Sequence, residues 1–251
     1  FTDFITFVRA IKDSPQLFIF QKTIKKGHII FDLNLNFDEE GNVKNDYQLK
    51  GLLKDLKINF FNQNIFENIN FNFNLKKNNY LFEEIKLKAS KVSFNSKTIN
   101  IKKIKNNYLA EGIIENEKSI LNKNFLKLFN LELGNLDLKE TNFKSKNKFF
   151  LEIDSKFNIK NFELNSDLNI DQLKYNQQDL LKEYLPKSKK IIILRDQKIK
   201  LEYLNNELFI KGKGKIKLEN NFDDIKYSMS KKGDSFNIIS NIDFDQLILK
   251  K

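Results

Sequence analysis

The sequence predicts an all-β protein, mainly strands with a few short helices, laid out as a long twisted antiparallel meander curled into a half-pipe or groove. Three observations carry that expectation. Apolar residues fall on every second position through most of the chain, as in Ile199, Leu201, Tyr203 and again in Leu208, Ile210, Ile216, Leu218, with Lys, Glu, Asp, Ser and Asn between them; that is the period of a half-buried strand. The runs are separated by short turn-forming pairs and triplets such as Asn205-Asn206, Asn220-Asn221 and Lys232-Gly233-Asp234, residues that tolerate positive φ or bond their own backbone. No Gly/Ser-rich or Pro-rich linker interrupts the pattern. Residues 1–251 are therefore expected to form a single β-rich segment.

Taken in order, FTDFITFVRAIKD places Phe4, Val8 and Ile11 at helical spacing, with Phe1, Ile5 and Phe7 widening the stripe, so a helix is expected near 1–13 and Ser14-Pro15 ends it. After Gly27 the alternation is Ile29, Phe31, Leu33, Leu35, Phe37. Asp38 to Asn42 is a hairpin loop by composition, and Tyr47, Leu49 and Gly51 resume on the return. Separate short strands are then expected at Leu56-Ile58-Phe60, Ile69-Phe71-Phe73-Leu75, Ile85-Leu87-Ala89, Val92-Phe94, Ile99-Ile101 and Tyr108-Ala110-Gly112-Ile114. The period then changes: Leu121, Phe125, Leu128 and Phe129 predict a short helix within 119–130, with Ser119 as N-cap. Strands return at Leu136-Leu138, Phe149-Leu151-Ile153, Phe157-Ile159, Phe162-Leu164, Leu168-Ile170 and Leu173-Tyr175. A second helical insert, QQDLLKEYLP, occupies 177–186 before the meander of Ile199 to Phe244. Within that meander Gly212 and Gly214 share a face with Ile210 and Ile216, where a kink curling the sheet is expected.

Composition narrows the function classes. The chain has 251 residues, begins at Phe1 and has Met229 as its only methionine, so it is expected to be an internal piece of a longer polypeptide. Net charge is +11, yet Arg9 and Arg195 are the only arginines and lysine is spread throughout. Nucleic-acid surfaces concentrate arginine on one face, so the basicity reads as diffuse and no nucleic-acid partner is expected. The absence of cysteine excludes disulfides, a thiolate metal site and a cysteine nucleophile. His28, the one histidine, is expected in a solvated turn preceding a strand, with no second imidazole to share a metal or build a triad. Asp38-Glu39-Glu40, Glu83-Glu84 and Asp223-Asp224 lack calcium-loop spacing and are expected in loops or at strand starts; Gly212-Lys213-Gly214 does not open a helix. No enzyme activity, cofactor or metal is expected.

Roughly sixteen strands at about 4.8 Å each would give an apolar face far larger than the few hundred Å² that soluble proteins leave uncovered. Such a sheet has to close, stack as a sandwich, or curl into a trough whose lining faces a ligand. The expected lining is Phe31, Leu33, Leu35, Phe71, Phe73, Leu201, Ile210, Ile216 and Ile238 on one face. The stretch from Phe157 to Phe244, with its interposed DLLKEYLPKSKKI segment and Gly-containing strand FIKGKGKIKL, resembles the AsmA-like superfamily and, more narrowly, the large AsmA/TamB-type periplasmic proteins. The resemblance is one of texture over most of the chain from Ile29 onward. It implies a lipid-transfer conduit or envelope-biogenesis protein that carries phospholipid acyl chains in an apolar groove between inner and outer membranes, in the periplasm, with an inner-membrane anchor upstream of Phe1. The alternative, from another class, is a non-enzymatic structural or interaction β-sandwich module of a cell-envelope protein.

Overall fold

The computed structural model describes residues 5–6, 21–42, 44, 46–60, 64–128, 135–156, 158–177, 181–233 and 235–243. Its strands are β1 (Ile24–Asn34), β2 (Gln48–Phe60), β3 (Asn64–Lys76), β4 (Asn79–Ala89), β5 (Val92–Ile104), β6 (Asn107–Ile120), β7 (Leu136–Asp137), β8 (Asn142–Asp154), β9 (Ile159–Asn176), β10 (Ile191–Leu204), β11 (Glu207–Lys217), β12 (Asp223–Lys232) and β13 (Ser235–Asp243), and one helix, α1 (Lys123–Lys127), follows β6. The hydrogen-bonded order is β1-β2-β3-β4-β5-β6-β8-β9-β10-β11-β12-β13, with β7 on β9 beside this path. The fold is thus an all-β antiparallel meander in which, among the described residues, β1 and β13 do not pair to close the sheet. The chain divides into two compact units, one of residues 1–114 and 150–161, the other of 115–149 and 162–251.

The strands are longer and fewer than the alternation suggests, because phase changes in the pattern are bulges inside strands. In β2 the buried positions shift from Leu53 to Leu56 and Ile58, and the residue between, Asp55, has φ 53°. Asn68 in β3, Glu84 in β4 and Asp196 in β10 have the same left-handed φ of 53°. Each extra residue restores the apolar set to the face it would otherwise leave. Asn70 secures two neighbouring bulges in the first unit: its Oδ1 accepts from the Asp55 backbone N–H at 3.1 Å and its Nδ2 donates to the Asn68 carbonyl at 2.7 Å. In the second unit Gln197, 1% exposed, donates from Nε2 to the carbonyls of Arg195 (2.9 Å) and Lys215 (3.0 Å), which the interrupted ladder leaves over.

Turn chemistry follows the sequence more directly. Asn205 and Asn206 both adopt positive φ (53° and 61°) between β10 and β11, as the tight two-residue hairpin requires. Asp154 closes the β8–β9 turn by accepting at Oδ1 from the backbone N–H groups of Lys156 and Asn158, each at 2.9 Å.

In the first unit, Ile5, Ile24, Leu53, Leu56, Ile58 and Ile69 form the buried cluster, flanked by Phe66, Phe71 and Leu87. In the second, Ile216, Leu218 and Ile225 are buried under Leu181 and Leu185, with Ile192, Leu194, Tyr227 and Ile242 around them. Full burial of such side chains contributes about 1.5–3 kcal/mol each.

The helical expectations need revision. Of 1–13 only Ile5 and Thr6 lie inside the described residues, and both are helical; Phe1, Phe4, Phe7, Val8 and Ile11 lie outside them. Helix α1 is shorter than 119–130, because Ser119 still belongs to β6 and the N-cap is Asn122, whose Oδ1 accepts from the Phe125 N–H at 3.0 Å. Phe125 and Leu126 are its buried pair, and the Phe125 ring lies 5.8 Å from that of Phe143. The described part of 177–186 holds turns and no helix. A single α-turn, Leu185 N–H to the Leu181 carbonyl at 2.7 Å, precedes Pro186. Gln177, 1% exposed, fixes it by accepting from the Leu181 N–H at 2.7 Å and donating to the Lys189 carbonyl at 2.6 Å.

Candidate functional site

Antiparallel pairing fixes which residues share a face, since direct cross-strand partners point the same way. In the first unit one rung reads Phe31–Gly51–Phe73–Phe82–Ile99, and the next Leu33–Leu49–Leu75–Tyr80–Ile101. Phe71 joins the same face through Leu53 and Ile29. In the second unit Ser166–Leu201–Ile210–Met229–Ile238 form one rung, and Leu168–Ile199–Gly212–Tyr227–Ser240 the next. Ile216 lies further along the same face of β11, opposite Leu194.

Burial along these faces is graded. Phe73 and Ile216 are buried, Phe71, Leu201 and Ile210 half-buried, and Phe31, Leu33 and Ile238 exposed, Ile238 by 67%. Leu35 follows the last residue of β1 as an exposed residue outside the ladder, so register assigns it to neither face. The second unit's face is therefore packed at the Ile216 end, where Leu181 and Leu185 lie against it, and grows more exposed through half-buried Leu201 and Ile210 to Ile238.

Glycines shape this lining by providing room, and Gly214 stands across from the bulge in β10. Gly212 and Gly214 keep ordinary extended φ. A Cβ on Gly212 would stand 2.1 Å from Cζ of Tyr227, whose ring lies across the strand, and one on Gly214 would stand 2.2 Å from Nε2 of Gln197. In the first unit a Cβ on Gly51 would come within 2.2 Å of the Ile30 carbonyl oxygen and 2.7 Å of the Phe73 ring. Burial pushes the Tyr227 phenol above its ordinary pKa.

The residues with catalytic potential are dispersed. His28 lies within β1, paired with Lys54 beside the irregularity at Gly27, and is exposed; it does not sit in a turn before the strand. Glu83 and Glu84 fall in the middle of β4, Glu84 at its bulge, not at a strand start. Asp38 closes its own loop, accepting from the Asn42 N–H at 2.7 Å, which holds its carboxyl below the usual range. Among the described residues no group of His, Cys, Asp and Glu is placed to hold a metal, and no helix is long and apolar enough to cross a membrane.

Two features escaped the sequence reading. One is the bulge residues, signalled by two adjacent polar residues where alternation demands one: Lys54-Asp55, Glu67-Asn68, Glu83-Glu84, Arg195-Asp196. The other is a concentration of lysine on one face of the second unit, around a cleft of about 630 Å³. No pattern within any single strand reveals it, because it arises from the register of four strands. Comparison with known proteins gave no matching family model, no matching characterised relative and no matching solved structure.

Proposed function

We propose that the chain is a lipid-handling segment of a bacterial cell-envelope protein, in which phospholipid acyl chains lie along the apolar face while head groups stay in water. The observation that carries the reading is the apolar rung of the second unit in which half-buried Leu201, Ile210 and Met229 stand beside Ile238, 67% exposed, on four adjacent strands. Each buried methylene of an acyl chain contributes about 0.8 kcal/mol, so a chain of ordinary length gains several kcal/mol there. No bond is made or broken, and no cofactor or metal enters. The proposed setting is the periplasm, with anchoring to the inner membrane by a segment outside these residues.

The test is native mass spectrometry of the purified chain with added phospholipid, comparing Ile238→Asp with Asn237→Asp. The two positions are neighbours on opposite faces of β13, and both are exposed, so neither change disturbs a core. Lipid adducts are expected to fall sharply for Ile238→Asp, because a carboxylate beneath an acyl chain loses its hydration without a partner, and to persist for Asn237→Asp. Equal lipid binding by both variants overturns the reading.

A further inference from the structure

The face of the second unit opposite its apolar lining carries an unusual arrangement of charge. Register aligns Asp167, Lys200, Lys211, Ser228 and Ile239 as one rung. A second rung aligns Asn169, Lys198, Lys213, Lys226 and Asn241. Both rungs line the 630 Å³ cleft, and its remaining lining residues, Leu168, Ile199, Gly212 and Tyr227, are the rung between them. Ten of its fourteen lining residues thus belong to the two rungs whose side chains share the lysine face.

Lysine therefore stands directly opposite lysine three times, at Lys200/Lys211, Lys198/Lys213 and Lys213/Lys226. Like charges in cross-strand positions, with Cβ atoms about 4.5–5.5 Å apart, are destabilising. The same face carries Asp167, Glu202, Glu207, Asp224 and Asp243, but register sets none of these carboxylates opposite Lys198, Lys211, Lys213 or Lys226. Asp167 reaches Lys200 at 3.9 Å with both side chains mostly exposed, and Asp224 is engaged by Lys215 at 3.0 Å. Among the described residues Lys198, Lys211, Lys213 and Lys226 have no carboxylate within ion-pair distance.

We infer that this lysine cleft docks the second unit on the headgroup surface of an anionic bilayer. Its cations are ammonium groups on flexible stems, suited to delocalised negative charge, while Arg195, whose planar fork would grip one phosphate bidentately, lies outside the cleft with its guanidinium 4.3 Å from the Phe222 ring centre. The cleft offers no aromatic platform for a nucleobase, because the Tyr227 ring is committed to the other face over Gly212. Ile239, 53% exposed on the lysine face, supplies an apolar side chain for the lipid interface. The inference does not rest on acyl-chain carriage, which concerns the opposite face.

The experiment is flotation of the chain with phosphatidylcholine vesicles containing about 30% phosphatidylglycerol, against pure phosphatidylcholine, at low and high salt. The variant Lys198→Ser/Lys211→Ser/Lys213→Ser/Lys226→Ser is compared with Lys139→Ser/Lys144→Ser/Lys148→Ser/Lys187→Ser, which removes the same charge from exposed lysines elsewhere. At roughly fivefold per lysine, partitioning is expected to fall at least ~50-fold for the cleft variant and less than ~5-fold for the control. Ile239→Glu, a single exposed change that leaves every lysine in place, is expected to lower it at least ~5-fold and decides the matter should the quadruple variant not fold. Equal loss in both quadruple variants, indifference to phosphatidylglycerol, or unaltered partitioning of Ile239→Glu overturns the inference. So does a cleft variant that still floats but loses binding to duplex DNA at the same salt, which assigns the cleft to nucleic acid.

Discussion

Replacing Gly212 with alanine tests whether the room at this position belongs to Tyr227. In an extended strand with ordinary φ, alanine is normally preferred over glycine by about 0.5–1 kcal/mol, so a strand reading alone makes Gly212→Ala stabilising. The structure reverses the sign, because the new methyl would stand 2.1 Å from Cζ of Tyr227 and the ring has to swing off the strand. A buried tyrosine covers about 150–250 Å²; losing about 100 Å² of that from a half-buried ring costs ~2.5 kcal/mol at ~25 cal/mol per Å². Net destabilisation of about 1.5–2 kcal/mol is expected after the backbone gain is subtracted. In a Tyr227→Ala background the clash is gone, and Gly212→Ala should return to neutral or mildly stabilising, a coupling of about 2 kcal/mol in the double-mutant cycle. Urea denaturation followed by far-ultraviolet circular dichroism reads all four corners. A stabilised Gly212→Ala protein with Tyr227 present refutes the reasoning, as does additivity of the two changes.

Leu56→Ala removes a side chain only 2% exposed from the first unit's buried cluster and is expected to cost about 2–5 kcal/mol in the same denaturation assay. Asn70→Ala strips the hydrogen bonds that hold the Asp55 and Asn68 bulges, with an expected loss of about 1 kcal/mol and faster hydrogen exchange at the Asp55 amide. The Tyr227 phenol is held above its ordinary pKa by burial, so its contribution is intact below about pH 10 and is lost as pH rises through the folded-state value; alkaline unfolding monitored with phenolate absorbance should soften in Tyr227→Phe. The Asp154 carboxyl is held well below its usual range, first by the Asn158 side chain and then by the backbone N–H groups of Asn158 and Lys156, so its contribution is present above about pH 4 and declines as pH falls toward the folded-state value. Acid titration of stability should therefore be shallower in Asp154→Asn.

Much of the meander was legible because alternation and turn chemistry are local. Asn205-Asn206 announces its hairpin in two residues, and the runs around Leu201, Ile210 and Ile225 fall in the strands their period assigns. Phase was the weak point. Val92-Phe94 and Ile99-Ile101 read as two strands but form one, β5, and Leu49-Gly51 and Leu56-Ile58 are likewise both β2. A bulge and a loop present the same signal in sequence, an extra polar residue, and differ only in whether the partner strand continues alongside. The short helices fared worse: Ser119 and Asn122 are both competent caps, and the choice fell to the residue at which β6 ran out. Leu35 kept the alternation of Phe31 and Leu33 yet lies past the last β1 pair, Asn34 with Gln48.

The diffuse basicity of the sequence and the lysine face of the second unit are reconciled by register. In β11, Lys211, Lys213, Lys215 and Lys217 alternate with Ile210, Gly212, Gly214 and Ile216, so in one strand the lysines are merely the solvated side of an amphipathic run. What turns a solvated side into a cluster is the neighbour. The hairpin set by Asn205-Asn206 brings Lys200 opposite Lys211, and the bulge at Asp196 leaves Lys198 opposite Lys213, with Arg195 opposite Lys215. Removing that bulge residue would slide one half of β10 by a single position and, with a side-chain period of two, would exchange lysine for apolar neighbours across half the strand. The same bulge thus keeps Leu194 with Ile199 on the apolar face and Arg195 with Lys198 on the basic one. Separation of an apolar surface from a cationic surface, the property on which both proposed activities depend, rests in this strand on one residue in the left-handed conformation and on the Gln197 amide that satisfies the carbonyls around it.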